Sequence, residues 1–113
     1  MTADAIIDRS KLMLGYIGQA SRDKIEDMVR MVNDGIQDLI ARRSYILFQS
    51  DGTFATYTEI TSANYDSLEL PFDEQYREAM AHYVASRILE QDSGDEHNMA
   101  QSVYHREMYV NLT

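Results

Sequence analysis

A single proline, Pro71, divides this chain, and the stretch behind it constrains the fold more than any other. The proline ring crowds the backbone of Leu70, so Leu70 is expected to be extended and any preceding element to end there. Asp73 follows where a helix N-cap is needed, and Glu74 adds negative charge at the positive end of the helix dipole. Tyr76, Ala79, Met80, Tyr83, Val84 and Ile88 then recur at three- and four-residue steps, which places them on one helical face. This spacing predicts a helix over 73–91, ending before Asp92-Ser93-Gly94, where Gly94 can adopt a left-handed turn. A face this wide is expected to receive the other elements of the chain.

Three more helices are predicted. Over 2–17, Ile6, Ile7, Met13, Leu14 and Ile17 fall on one side, Thr2 is the expected cap, and Gly15 and Gly18 weaken the end. Over 21–43, Ile25, Met28, Val29, Val32, Ile36, Leu39 and Ile40 hold helical spacing for more than four turns. Ser21 is its expected cap, and Arg42 and Arg43 suit its last turn. Gly35 lies inside this helix at a cost of about 1 kcal/mol relative to alanine. Either another backbone approaches closely there, that of the 73–91 helix, or Gly35 is a tolerated surface glycine. Over 95–112 a last helix is predicted, with Asp95 as cap and Ala100, Val103, Tyr104 and Met108 as its inner stripe. The short connection before it makes the last two helices antiparallel neighbours. The expected core joins Val32, Ile36, Met80, Tyr83, Val84 and Val103.

Residues 44–70 interrupt the helical pattern. Tyr45-Ile46-Leu47-Phe48 is apolar and aromatic, Asp51-Gly52 is a hairpin dipeptide, and Phe54, Thr56, Thr58 and Ile60 follow in alternation. Two or three short strands, or an extended excursion, are expected. The stretch carries more aromatics (Tyr45, Phe48, Phe54, Tyr57, Tyr65) than a short hairpin buries by itself. They either form an interaction arm or fold back over one end of the helices. Residues 51–78 also hold Asp51, Glu59, Asp66, Glu69, Asp73, Glu74 and Glu78 against Arg77 alone. The fold class is therefore mainly α: a small four-helix bundle with an inserted β-hairpin or extended loop between the second and third helices, in one domain over 1–113.

Composition removes several function classes. A net charge of −9 disfavours general binding to nucleic-acid backbones, which requires a basic surface. The absence of cysteine excludes disulfides, thiolate metal sites and cysteine nucleophiles. No apolar run reaches membrane-spanning length and no leader pattern opens the chain, so a protein made in the cytoplasm is expected. His82, His97 and His105 are the obvious metal or acid–base candidates, but no two stand at the i, i+4 spacing of a helical metal pair. They are expected to be exposed or half-exposed. No phosphate-binding loop, dinucleotide fingerprint or nucleophile elbow occurs. The seven methionines fall mostly at core positions, so packing accounts for them. No enzyme, no cofactor and no metal are predicted.

Taken in order, the pieces resemble a known family. Ala3-Asp4-Ala5-Ile6-Ile7-Asp8-Arg9 opens the chain, and the second helix closes on Val32-Asn33-Asp34-Gly35-Ile36-Gln37-Asp38-Leu39-Ile40-Ala41-Arg42-Arg43. After the excursion, Leu70-Pro71 leads into Ala79-Met80-Ala81-His82-Tyr83-Val84-Ala85-Ser86-Arg87, and Asn98-Met99-Ala100-Gln101-Ser102-Val103-Tyr104-His105 belongs to the last helix. The order and spacing are similar to those of the head–tail adaptor (connector, head-completion) proteins of tailed bacteriophages. The resemblance implies a helical bundle with an inserted loop or hairpin, about a dozen copies of which form a closed ring beneath the portal. It implies a structural role in the virion neck, with portal protein, tail or nozzle proteins and other copies of itself as partners. Genomic DNA would pass through the ring without specific binding, and no membrane is involved. Synthesis would be in the host bacterial cytoplasm. Candidate partner-contacting residues are Tyr45, Phe48, Phe54, Tyr57, Tyr65, Tyr109, Val110 and Leu112. Candidate channel-facing acids are Asp51, Glu59, Asp66 and Glu69. Family members often carry an arm beyond the last helix that reaches the portal. Here the sequence stops at Thr113, so attachment is expected through the helix end, the hairpin, or a tail ordered on assembly. The residues alone also leave open a small acidic regulatory or nucleic-acid-mimicking protein, and a metal-dependent enzyme.

Overall fold

The structure, a computed structural model, describes residues 1–14, 25–49, 51–71, 73–90 and 96–113. It is mainly helical: α1 (Ala3–Met13), α2 (Ile25–Arg42), α3 (Arg77–Glu90) and α4 (Glu96–Leu112), with 3-10 turns at Ser44–Leu47 and Glu74–Tyr76. Gly15, Ile17, Gly18, Ser21, Asp92, Gly94 and Asp95, to which helix ends and caps were assigned above, lie outside the described residues.

α3 is the centre. α1, α2 and α4 each pack on it. Its predicted face is buried at Tyr76, Ala79, Met80, Val84 and Ile88, and Tyr83 is half-buried against the same core. Ala81, His82, Ala85 and Ser86 are buried as well. A helix covered on nearly every side needs small residues where neighbours come close, and α3 provides them. Its entry differs from expectation. Asp73 makes no side-chain cap bond. The first turn is instead a 3-10 turn in which the Tyr76 N–H donates to the Asp73 carbonyl (3.1 Å), so a backbone oxygen does the work expected of the carboxylate.

The other helices follow from local chemistry. Thr2 caps α1, its Oγ1 accepting from the Ala5 N–H at 3.3 Å, and Ile6 and Ile7 are fully buried. α2 turns Met28, Val29, Val32, Ile36 and Leu39 inward. Gly35 is buried where α3 crosses: a Cβ placed there would stand 2.7 Å from Met80 Cε and 2.8 Å from Tyr83 Cδ1. The glycine therefore serves close helix approach, through the side chains of α3.

α4 is an antiparallel neighbour of α3, as the pairs His82–His105 and Ser86–Ser102 show. Its predicted inner stripe is a correction. Ala100 and Tyr104 are exposed, Val103 is 53% exposed, and Met108 is only half-buried. Among the described residues of α4 the buried positions are Ser102, His105 and Tyr109. Each has a specific partner on another helix: Ser102 Oγ donates to the Ser86 carbonyl (3.1 Å), His105 meets His82, and the Tyr109 hydroxyl donates to Asp38 Oδ2 (2.5 Å). Buried polar groups with partners cost little, so hydrogen bonds decide the rotation of α4.

The 44–70 excursion has two halves. Among the described residues no strand forms. Residues 44–47 take a 3-10 turn, and a single antiparallel bridge joins Phe48 to Phe54. The bridge is flanked by bonds from Gln49 N to Thr53 O (2.7 Å) and Ala55 N to Leu47 O (2.6 Å), with Gly52 at φ +88°. So small a ladder does not extend. The second half returns along α2 and joins the body. Ile60 and Leu70 are core residues, and Tyr57, Tyr65 and Leu68 pack against the core. Backbone bonds from Asp4 N to Tyr65 O (3.0 Å) and Leu70 N to Met1 O (2.9 Å) fasten it to the start of α1.

Candidate functional site

The first half of the excursion presents an apolar tip. Tyr45, Phe48 and Phe54 are 62%, 56% and 64% exposed, and the two phenylalanine rings meet edge to face, 5.5 Å between centroids. Asp51 holds the turn: its Oδ1 accepts from the Thr53 N–H (3.0 Å) and the Thr53 hydroxyl (2.6 Å). These bonds favour the carboxylate and lower its pKa. An acid expected to face a channel thus has a local task in the turn.

Tyr57 and Tyr65 stand apart from this tip. Tyr57 is half-buried and its hydroxyl donates to Asn33 Oδ1. Burial pushes its pKa up to about 12. Asn33 Oδ1 also accepts from the Ile60 N–H (3.0 Å), and its Nδ2 donates to the Ile60 carbonyl (2.8 Å). This one amide replaces a strand partner for the returning chain. Tyr65 is half-buried against the core, and its carbonyl accepts from the Asp4 N–H of α1.

The C-terminal candidates divide similarly. Tyr109 is 2% exposed, so it is removed from the candidate contact surface; its hydroxyl is committed to Asp38 and its ring to Tyr83. Burial, the bond to Asp38 and that residue's charge all raise its pKa. Val110 and Leu112 are exposed. A shallow recess of about 310 Å³ lies beside Val110, lined by Arg106, Glu107 and Asn111. Arg43 Nε donates to the Thr113 carbonyl (2.8 Å). Ser44 follows directly, so the tip leaves the body where α4 ends. The segment that carries Tyr45, Phe48 and Phe54 thus starts beside the end of α4 that carries Val110 and Leu112.

The acidic candidates are all exposed but not gathered. Asp51 is in the tip, Glu59 precedes the Asn33 clamp, and Glu69 pairs with the N-terminal ammonium of Met1. Asp66 lies near enough to Asp4 to help raise its pKa, after burial and the Asp8 charge.

Sequence reasoning missed the buried histidines. His82 and His105 are 8% and 5% exposed, and their Nδ1 atoms lie 2.8 Å apart between α3 and α4. Burial lowers both pKa values. The readable signal was the company they keep: Ala79 and Ser86 flank His82 at helical steps, and Ser102, His105 and Tyr109 share one face. Among the described residues no group of three or more His, Asp or Glu side chains is placed to hold a metal ion, and no helix is long and apolar enough to cross a membrane. No family model, no curated protein and no solved structure matches this chain.

Proposed function

We propose that this protein is a head–tail adaptor of a tailed phage, a structural ring component beneath the portal whose aromatic tip is its docking element. The observation that carries the reading is the exposure of Tyr45, Phe48 and Phe54 on a segment that starts beside the end of α4, where Val110 and Leu112 are exposed too. Several large apolar groups displayed together mark a contact surface. The Phe48–Phe54 turn is, in this reading, the family's inserted hairpin in its shortest form, lengthened when a partner edge pairs with it. Exposed acids along the return path repel phosphate and suit a channel through which DNA slides without sticking. Portal and tail or nozzle proteins bind the apolar end, and copies of the chain close the ring.

Electron cryomicroscopy of tailed particles that contain the portal tests this. A ring at the neck into which the four helices fit, with the tips against a neighbouring protein, is the expected result. A neck whose density leaves no place for this chain overturns the reading. Recovery of the protein with a basic DNA-binding protein instead of particles supports the regulatory or mimic alternative.

A further inference from the structure

Among the described residues the contact between His82 and His105 is the one buried polar junction that joins α3 to α4 through two titratable side chains. At 2.8 Å, one Nδ1 donates its proton and the other accepts. The arrangement requires at least one ring to lack a proton on Nδ1. Either choice of donor gives the same neutral pair.

We propose that this pair is an acid-sensitive latch that holds α4 on α3 and releases it when both rings are protonated. The first added proton, on the outer nitrogen of the donor ring, leaves the Nδ1–H···Nδ1 bond in place but puts a cation between the helices. The second protonates the accepting Nδ1, so two N–H groups and two positive charges face each other where one bond was. Among the described residues Glu78 offsets this charge only in part. Glu78, one turn before His82, is held by Arg9 of α1 through Nε (2.6 Å) and Nη2 (3.3 Å), so that pair brings a cation as well as an anion. On α4, Tyr104 packs edge-on to both rings and offers no charge. Arg106 is committed to Glu90 (2.7 Å). On α2, Asp34 pairs with Arg87 and Asp38 accepts from Tyr109 and Arg42. Glu74, in the turn before α3, is exposed.

The sign follows from the neutral pair. Both histidines have folded pKa values below the unfolded one, chiefly through burial, with Glu78 opposing at His82 and His82 adding to the shift at His105. The stabilisation is complete above the unfolded value of about 6.5 and is lost as pH falls from there through the folded values.

Hydrogen exchange of the full chain between about pH 7.5 and about pH 5, corrected for intrinsic rates, tests the latch. The α4 amides are expected to lose protection by about tenfold or more, ahead of those in α1 and α2. The His82→Leu/His105→Leu double variant replaces both partners with apolar groups and is expected to keep α4 protection flat over the same range. Unchanged α4 protection in the unsubstituted chain overturns the proposal. So does an equal loss in the double variant, since carboxylates would then carry the effect. Ring resonances of the unsubstituted chain decide independently, whether or not the double variant folds. Two separate steps below about 6.5 support a shared-proton pair, and either ring titrating at or above that value contradicts it.

Discussion

Gly35 shows what a single missing side chain does here. Helix propensity alone favours alanine at this position by about 1 kcal/mol. The added Cβ would meet Met80 Cε and the Tyr83 ring edge at under 3 Å; Met80 is fully buried, and the Tyr83 ring, packed edge-on to Tyr109 and bonded by Arg87, must shift as well. Overpacking of this kind costs roughly 1–3 kcal/mol. Gly35→Ala is therefore expected to lower stability by about 1 kcal/mol in denaturant titration, opposite in sign to the propensity effect. A more stable variant would show that α2 and α3 are not in close contact there. The glycine was visible in the sequence, but which atoms occupy its space depends on residues 45 and 48 positions further along.

At the scale of elements, the contrast between α2 and α4 is instructive. α2 has one apolar stripe and one polar face, so periodicity identified its buried side at Met28, Val29, Val32, Ile36 and Leu39. α4 carries Ala100, Val103, Tyr104 and Met108 at equally good spacing, yet buries Ser102, His105 and Tyr109. Its rotation is set by Ser86, His82 and Asp38 on other helices, and periodicity alone does not choose between an apolar stripe and a polar one at the same spacing. The excursion was legible in part for a related reason: its alternation allows short strands or an extended loop, and among the described residues it is a loop with one bridge, Asn33 supplying the bonds of the return path. The energetic expectation is clear. Ile36→Ala should cost roughly 2–4 kcal/mol, because it leaves a cavity in the core. Val103→Ser should stay within about 0.5 kcal/mol of the parent, as exposed substitutions do. Paired melting curves check this; comparable losses for both would return Val103 to the core.

For the whole molecule, charge and shape together govern assembly. Each copy carries −9, and among the described residues the exposed aromatics are Tyr45, Phe48 and Phe54 at the tip of the excursion and Tyr104 on α4. The isolated protein is expected to be monomeric or weakly associated, with moderate salt favouring self-association by screening. Light scattering that shows a stable ring at low salt without a portal would contradict this. The docking claim itself is tested most directly at the tip. Tyr57 and Ile60 are bonded to α2, so a substitution that spares them separates binding from folding. The measurement is the amount of a Phe48→Ser/Phe54→Ser variant in purified tailed particles, relative to the parent, with the melting temperature of each isolated protein alongside. The account predicts an unchanged melting temperature and loss of the variant from particles. Normal incorporation of a folded variant, in particles that retain DNA and infectivity, would contradict it.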